Sequence, residues 1–225
     1  MLGSGSRSGT GHRCHGIADL AIGVFSSYGS SNRLRAAIHA IAEPLLSGGI
    51  HRVLDLGCSV GVSSQALALW LTHRAQQRNE AVPSVVGLDL SPDMLAVAKV
   101  RDAAGLVSEW RHAAAESSGL ESGSIDLISL QFVCHELPQS ATHAVLKEAA
   151  RLLRPGGVLL MVDQDPGSSV LQRLPAPIAT LLKSTEPYIE QYFALDMPVA
   201  IEQAGFRDLR IKACDPRHRV IACLR

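Results

Sequence analysis

Apolar positions along this chain fall into two alternating rhythms. Residues 52–56, 85–89, 125–130 and 158–163 are short runs rich in Val, Leu and Ile, the pattern of strands buried on both faces. Between them the apolar residues recur at helical spacing. Leu34, Ala37, Ile38, Ile41 and Leu45 predict a helix over 33–46, with Pro44 in its last turn and Gly48-Gly49 ending it. Further helices are expected over 61–75, 92–104 and 139–153, and a weaker strand over 107–112. A polar patch at 72–80, closed by Pro83, reads as a lengthened helix end and loop. Strands alternating with helices at this spacing predict a parallel α/β sheet covered on both faces.

The rhythm breaks over 164–195, where Pro166, Pro175, Pro177 and Pro187 punctuate short apolar segments and an aromatic cluster of Tyr188, Tyr192 and Phe193. Two readings stand for this stretch: a lid over a pocket, or a helical cover that buries the aromatics in the core. A helix over 197–204 stops at Gly205, and two strand-like runs, 206–213 and 218–224, flank Cys214-Asp215-Pro216-Arg217. That short Pro-containing connection predicts an antiparallel hairpin with a solvated basic tip at Arg217, His218 and Arg219.

The stretch Arg52-Val53-Leu54-Asp55-Leu56-Gly57-Cys58-Ser59-Val60-Gly61 organises the rest. A strand carrying one acid turns through glycines and restarts as an apolar helix. Such a turn is expected to leave backbone N–H groups free, a binding edge for a nucleotide-like ligand at the carboxyl end of a parallel strand. A dinucleotide fingerprint requires G-x-G-x-x-G, and here Ser59 and Val62 occupy two of the glycine positions. Asp55 would also repel a pyrophosphate. An acid at that place suits a ligand with a positive group, such as S-adenosylmethionine, which carries an α-ammonium and a sulfonium and no phosphate.

Five segments then match in order and approximate spacing. Asp55-Leu56-Gly57-Cys58-Ser59-Val60-Gly61, Gly87-Leu88-Asp89-Leu90-Ser91-Pro92-Asp93-Met94-Leu95, Ala114-Ala115-Glu116, Ser124-Ile125-Asp126-Leu127-Ile128 and Leu152-Leu153-Arg154-Pro155-Gly156-Gly157-Val158-Leu159 resemble the successive motifs of the class I S-adenosylmethionine-dependent methyltransferases. The later motifs are most similar to those of the small-molecule branch that includes the ubiquinone and menaquinone biosynthesis methyltransferases. The resemblance implies a Rossmann-like, seven-stranded, mostly parallel sheet with a C-terminal antiparallel hairpin and helices on both faces. It also implies methyl transfer from S-adenosylmethionine to a small-molecule acceptor.

By the same resemblance, Asp55, Gly57, Cys58, Ser59 and Gly61 would line the methionine part of the cofactor. Asp89 would accept both ribose hydroxyls, since an ionised carboxylate offers paired acceptors. Leu90 and Met94 would pack near adenine or ribose, Ala115 and Glu116 would sit at the adenine edge, and Gln131 would face the methionine or the methyl. This chain departs from the family at Ser59, where Gly is frequent, and in a longer gap between Gly61 and Asp89 that falls in a surface extension.

On the acceptor side the sequence offers His135 as a candidate catalytic base, because imidazole titrates near neutrality. In similar methyltransferases a His at this place also serves to orient the loop, and both readings stand. Cys134-His135-Glu136 lacks metal-ligand spacing and no partner motif is visible, so no metal is expected. Asp163, Gln164 and Asp165, ending the fifth strand, point to the pocket mouth.

Composition narrows the partners. Twenty-one Lys+Arg balance 21 Asp+Glu for a formal charge of +0, without the basic run of a nucleic-acid binder. Cys14, Cys58, Cys134, Cys214 and Cys223 are scattered and odd in number, which favours reduced thiols in a cytoplasm-like compartment. No apolar stretch approaches the ~18–20 residues of a membrane span. The first nineteen residues, rich in Gly and Ser with basic residues ahead of Asp19, read as a disordered start or an organellar (plastid or mitochondrial) targeting segment before a single domain over 20–225. Two other function classes stay open: a non-catalytic S-adenosylmethionine-binding protein and an NAD(P)-dependent oxidoreductase.

Overall fold

Residues 32–46 and 48–225 are described by a computed structural model. The expected leader over 1–19 lies outside them. In order, the elements are α1 (Asn32–Ala42), β1 (Arg52–Leu56), α2 (Val62–Arg78), β2 (Ser84–Asp89), α3 (Pro92–Arg101), β3 (Glu109–His112), β4 (Ile125–Gln131) and α4 (Gln139–Leu152). They continue with β5 (Leu153–Gln164), the short helices α5 (Ser169–Gln172), α6 (Ala176–Thr185) and α7 (Ile189–Ala194), then α8 (Met197–Gln203), β6 (Arg207–Ala213) and β7 (His218–Leu224).

The strands form one seven-stranded sheet in the order β3-β2-β1-β4-β5-β7-β6. Pairing is parallel from β3 through β5 and antiparallel at β5–β7 and β7–β6. The order in which strands are added reverses between the parallel neighbours β1 and β4, and the crevice at their carboxyl ends is where such sheets take ligands. The pleat splits the core in two. Val53, Val85, Leu127, Leu160 and Val162 face α1 and α2, whereas Leu54, Leu56, Val86, Leu88, Leu130 and Met161 face α4, α7 and α8.

Several boundaries differ from the sequence expectation, each for a visible reason. The first helix changes at Ala42 into a single 3-10 turn (Glu43–Leu45), with Pro44 at its start. Helix α2 runs on to Arg78 through the polar patch, because the buried Arg74 pairs with Glu43 and Glu80 and donates to Leu46 O. Helix α3 stops at Arg101, since the Asp102 carboxylate accepts from the N–H groups of Leu106 and Val107 and turns the chain. Arg154-Pro155-Gly156-Gly157 is absorbed into β5 as a bulge, the register stepping from Ile125↔Leu153 to Leu127↔Val158. The β6–β7 tip is also not fully solvated. His218 is buried, bonds Asp215 through Nδ1 at 2.7 Å, and sets its ring edge-on to Phe132 at 5.3 Å.

Carboxylates tie the elements together at strand and loop ends. Asp126, at the amino end of β4, accepts from the N–H groups of His51 and Arg52 and from the Arg154 guanidinium. Glu148 of α4 accepts from the Ser118 N–H and hydroxyl and from Arg151, which also reaches Leu120 O. This second cluster fixes the loop between β3 and β4, which carries Ala115 and Glu116. The Arg151 bonds lead in lowering the Glu148 carboxyl from 4.5 to about 2, burial opposing and Ser118 assisting. A depressed carboxylate stabilises the fold above its unfolded pKa and loses that contribution as pH falls through the folded one. Glu148→Gln is therefore expected to cost about 1–2 kcal/mol at pH 7. Urea unfolding should show the deficit shrinking as pH drops from 4.5 towards 2; a deficit independent of pH would contradict the assignment.

Candidate active site

The turn after β1 and the turn after β2 meet at the carboxyl edge of the sheet. Gly57 (φ +71°) and Gly61 (φ +79°) both take the left-handed backbone region that favours glycine. Ser59 joins them at φ +47°, a conformation that a residue with a Cβ adopts at a cost. Asp89 holds it there: its Oδ2 accepts from Ser59 N at 2.7 Å, while its Oδ1 accepts from Ser91 N at 2.8 Å. One carboxylate thus bridges both turns, and each oxygen keeps a lone pair for another donor.

Four of the N–H groups expected to be free at this turn are engaged within the protein. Gly57 N and Cys58 N both donate to Leu88 O, Ser59 N to Asp89, and Gly61 N to Cys58 O. These four donors are satisfied within the protein, so they form no pyrophosphate cradle. A cradle of backbone carbonyls and carboxylates suits a cationic ligand better.

Asp55 is 1 % exposed and shares the α1/α2 side of the sheet with Val53. Its Oδ2 accepts from the hydroxyls of Ser63 (2.6 Å) and Ser64 (2.7 Å), in the first turn of α2, while Oδ1 is buried without a hydrogen-bond partner. Burial pushes its carboxyl above the usual range; the hydroxyls of Ser63, Ser64 and Ser129 oppose this, and Asp89 reinforces it. A positive group brought to this edge would offset that strain. Gln131, at the end of β4, donates to Ser129 Oγ at 2.9 Å and sits on the same face, since Ser129 is the register partner of Asp55.

Leu90 and Met94 stand beside Asp89 and are 68 % and 41 % exposed, apolar surface next to an acceptor pair. Ala115 is half-buried and Glu116 exposed, in the loop that Glu148 anchors. Cys58 is buried, and burial raises its thiol pKa, with Asp55 and Asp89 adding to the effect, which makes it a packing residue.

The sequence did not single out Trp110 on β3. Its ring lies where a Cβ on Gly61 would overlap it and one on Gly87 would meet it at 2.6 Å. These two glycines are therefore required by an indole wall. The available signal was a large aromatic opposite Gly87 in the β2–β3 register.

On the other side of the edge, His135 is 7 % exposed in a 3-10 turn after β4. Its Nδ1–H donates to Asp163 Oδ1 at 2.7 Å, and Asp163 also accepts from Cys134 N and Gln164 N. Nε2 lies 3.8 Å from Glu186 Oε2, after α6, and the ring meets Tyr192 edge-on at 6.4 Å. Burial works against protonation of His135, but the Asp163 bond and the nearby acids outweigh it and raise its pKa. Tyr192 and Ile189 are buried in the core cluster, and the Tyr192 hydroxyl donates to Gln164 O at 2.8 Å, so this aromatic serves as core cover. Asp163 is likewise engaged in holding the His135 loop; its side chain is not free at the mouth.

Residues 54–161 match the family model described as "Methyltransferase domain". Among proteins similar to the chain, an uncharacterized methyltransferase of Synechocystis is 29 % identical over 71 % of this chain and 68 % of its own. A ubiquinone biosynthesis O-methyltransferase of Xanthomonas oryzae is 28 % identical over 60 % of this chain; the match spans 49 % of that relative, about half its length. A solved S-adenosylmethionine-dependent methyltransferase from Archaeoglobus fulgidus superposes with a TM-score of 0.60 at 15 % identity, over 90 % of this chain and 98 % of that one. The match to a methyltransferase domain thus runs from within β1 to within β5, and the fold is the Rossmann-like one of the solved methyltransferases. Among the described residues no helix is long and apolar enough to cross a membrane.

The packing of Trp110 against Gly61 predicts that Gly61→Ala destabilises the protein by about 1–3 kcal/mol, through backbone strain and overlap together. In a Gly61→Ala/Trp110→Ala double variant, denaturant unfolding should show less than the sum of the separate losses. Strict additivity would mean that the ring does not press on this position.

Proposed function

We propose that the chain binds S-adenosylmethionine at the carboxyl edge between β1 and β2 and transfers its methyl group to a small-molecule acceptor. The observation that carries the reading is the Asp89 bridge, which organises both turns and leaves acceptor capacity beside exposed Leu90 and Met94. Asp89 would take the ribose hydroxyls. Leu90 and Met94, with Ala115 and Glu116, would flank the adenine. Asp55 would favour the cationic methionine end, lined by Gly57, Cys58, Ser59, Gly61 and Gln131. The donor set fits: an orphaned, buried carboxylate oxygen and internally satisfied N–H groups favour a positive ligand over a phosphate. Bound there, the cofactor supplies a methyl carbon already activated by its sulfonium leaving group.

The remaining work of the protein is alignment and the exclusion of water. The segment carrying α5 to α7 would cover the acceptor side: Glu186, after α6, comes within 3.8 Å of His135 Nε2, Tyr192 of α7 meets the ring edge-on, and Asp163 fixes Nδ1. We assign His135 to the acceptor half of the reaction. The balanced charge of the chain favours a small molecule over a nucleic acid as acceptor, and the name of the ubiquinone relative is consistent with that class.

Isothermal titration with S-adenosylmethionine should give saturable binding. Asp89→Ala should weaken it by about 1.5–3 kcal/mol through lost charged hydrogen bonds, roughly ten- to a hundredfold. His135→Ala should leave donor affinity within about twofold while lowering methyl transfer, followed with a labelled methyl donor and a metabolite pool. Donor affinity unchanged in a folded Asp89→Ala protein would remove Asp89 from the site.

A further inference from the structure

We propose that His135, Glu136 and Glu186 bind a divalent ion of the zinc or manganese class beside the acceptor half of the site. The three side chains offer ligand atoms that lie within 4.8 Å of one another, from the loop after β4 and from the residue that closes α6. Glu186 is the partner that the sequence did not reveal, because only the fold of the Pro-rich segment brings it onto His135.

The imidazole is prepared for a ligand. Nδ1–H donates to Asp163 Oδ1 at 2.7 Å, which fixes the tautomer of the neutral ring and leaves the Nε2 lone pair on the side of the two glutamates. Nε2 belongs to a side chain that is 9 % exposed, and at 3.8 Å Glu186 Oε2 is beyond hydrogen-bonding reach. Carboxylate–imidazole–metal chains of this kind orient the ligand and raise its basicity.

Charge points the same way. Asp163 is compensated by two N–H groups and by His135, which leaves Glu136 and Glu186 with two negative charges facing one imidazole. A divalent ion neutralises the pair. One nitrogen and two carboxylate oxygens match zinc or manganese, whereas calcium and magnesium prefer oxygen alone. Metal–ligand bonds of about 2.0–2.2 Å require the glutamates to close by a small side-chain rotation. Glu136 is exposed and Glu186 half-exposed, so both have room for it. The remaining coordination positions would hold water or an acceptor oxygen, whose proton an ion of this kind helps release to solvent.

The proposal relies on the preceding reading only for the word acceptor, and its test uses the metal alone. Chelator-treated full chain is titrated with zinc chloride and, separately, with magnesium chloride, and cobalt(II) absorption reports nitrogen–oxygen ligation. Zinc should bind at one site and magnesium far more weakly. Glu136→Gln and Glu186→Gln, both at accessible positions, should each weaken zinc by at least about tenfold, and Asp163→Asn by about ten- to a hundredfold. If the Asp163 variant does not fold, the two glutamate variants decide. No zinc binding by the wild-type protein, or equal affinity in a Glu136→Gln/Glu186→Gln double variant, would overturn the proposal. A protein that binds S-adenosylmethionine but no zinc would keep the donor reading and lose this one.

Discussion

The carboxylate of Asp89 is the fixed point of the candidate site. It accepts one backbone N–H from each of two turns, Ser59 after β1 and Ser91 at the start of α3, so neither turn can move without the other. Ser59 sits in a left-handed conformation that this bond helps to hold. The same device recurs. Asp163 gathers the His135 loop onto β5 at the carboxyl edge, and Asp126 gathers β1 and β5 onto β4 at the amino edge. Short acidic side chains at strand ends fasten backbone from neighbouring connections, where parallel pairing has no hairpin to do so.

This fastening decides the chemical character of the edge. With Gly57, Cys58, Ser59 and Gly61 donating inward, the rim presents the Asp89 carboxylate, and Asp55 lies beneath it with an unpartnered oxygen. Such a rim repels phosphate and welcomes a cation. Across the pleat, Asp163 lies on the side of Met161, opposite the side that Asp55 shares with Val53. The proposed donor and acceptor halves would thus be held by different faces of one sheet and meet at its edge. The fold alone would host many reactions; the residues along this edge narrow them.

The order of elements was legible because strand and helix periods differ so clearly, and the limits of β1 agree with the pattern residue for residue. Asp55 and Asp89 stood out as a pair because each lies at or next to the end of an apolar run that leads into a turn and a helix. What stayed hidden depends on contacts between distant segments. No local pattern says that Arg74 extends α2 by pairing with Glu43, or that Asp102 ends α3 early. The same holds for the Trp110 wall over Gly61, and for His218, which reads as a solvated tip residue until Phe132 and Asp215 enclose it. Glu186 meets His135 only after the Pro-rich segment has folded back over the edge.

The most direct test is parallel equilibrium titration of the purified chain with S-adenosylmethionine and with NADH. With the N–H groups of Gly57, Cys58, Ser59 and Gly61 engaged inside the protein and Asp55 behind them, saturable binding of S-adenosylmethionine and none of NADH is predicted. Uptake of NADH without uptake of S-adenosylmethionine would contradict the assignment of this edge.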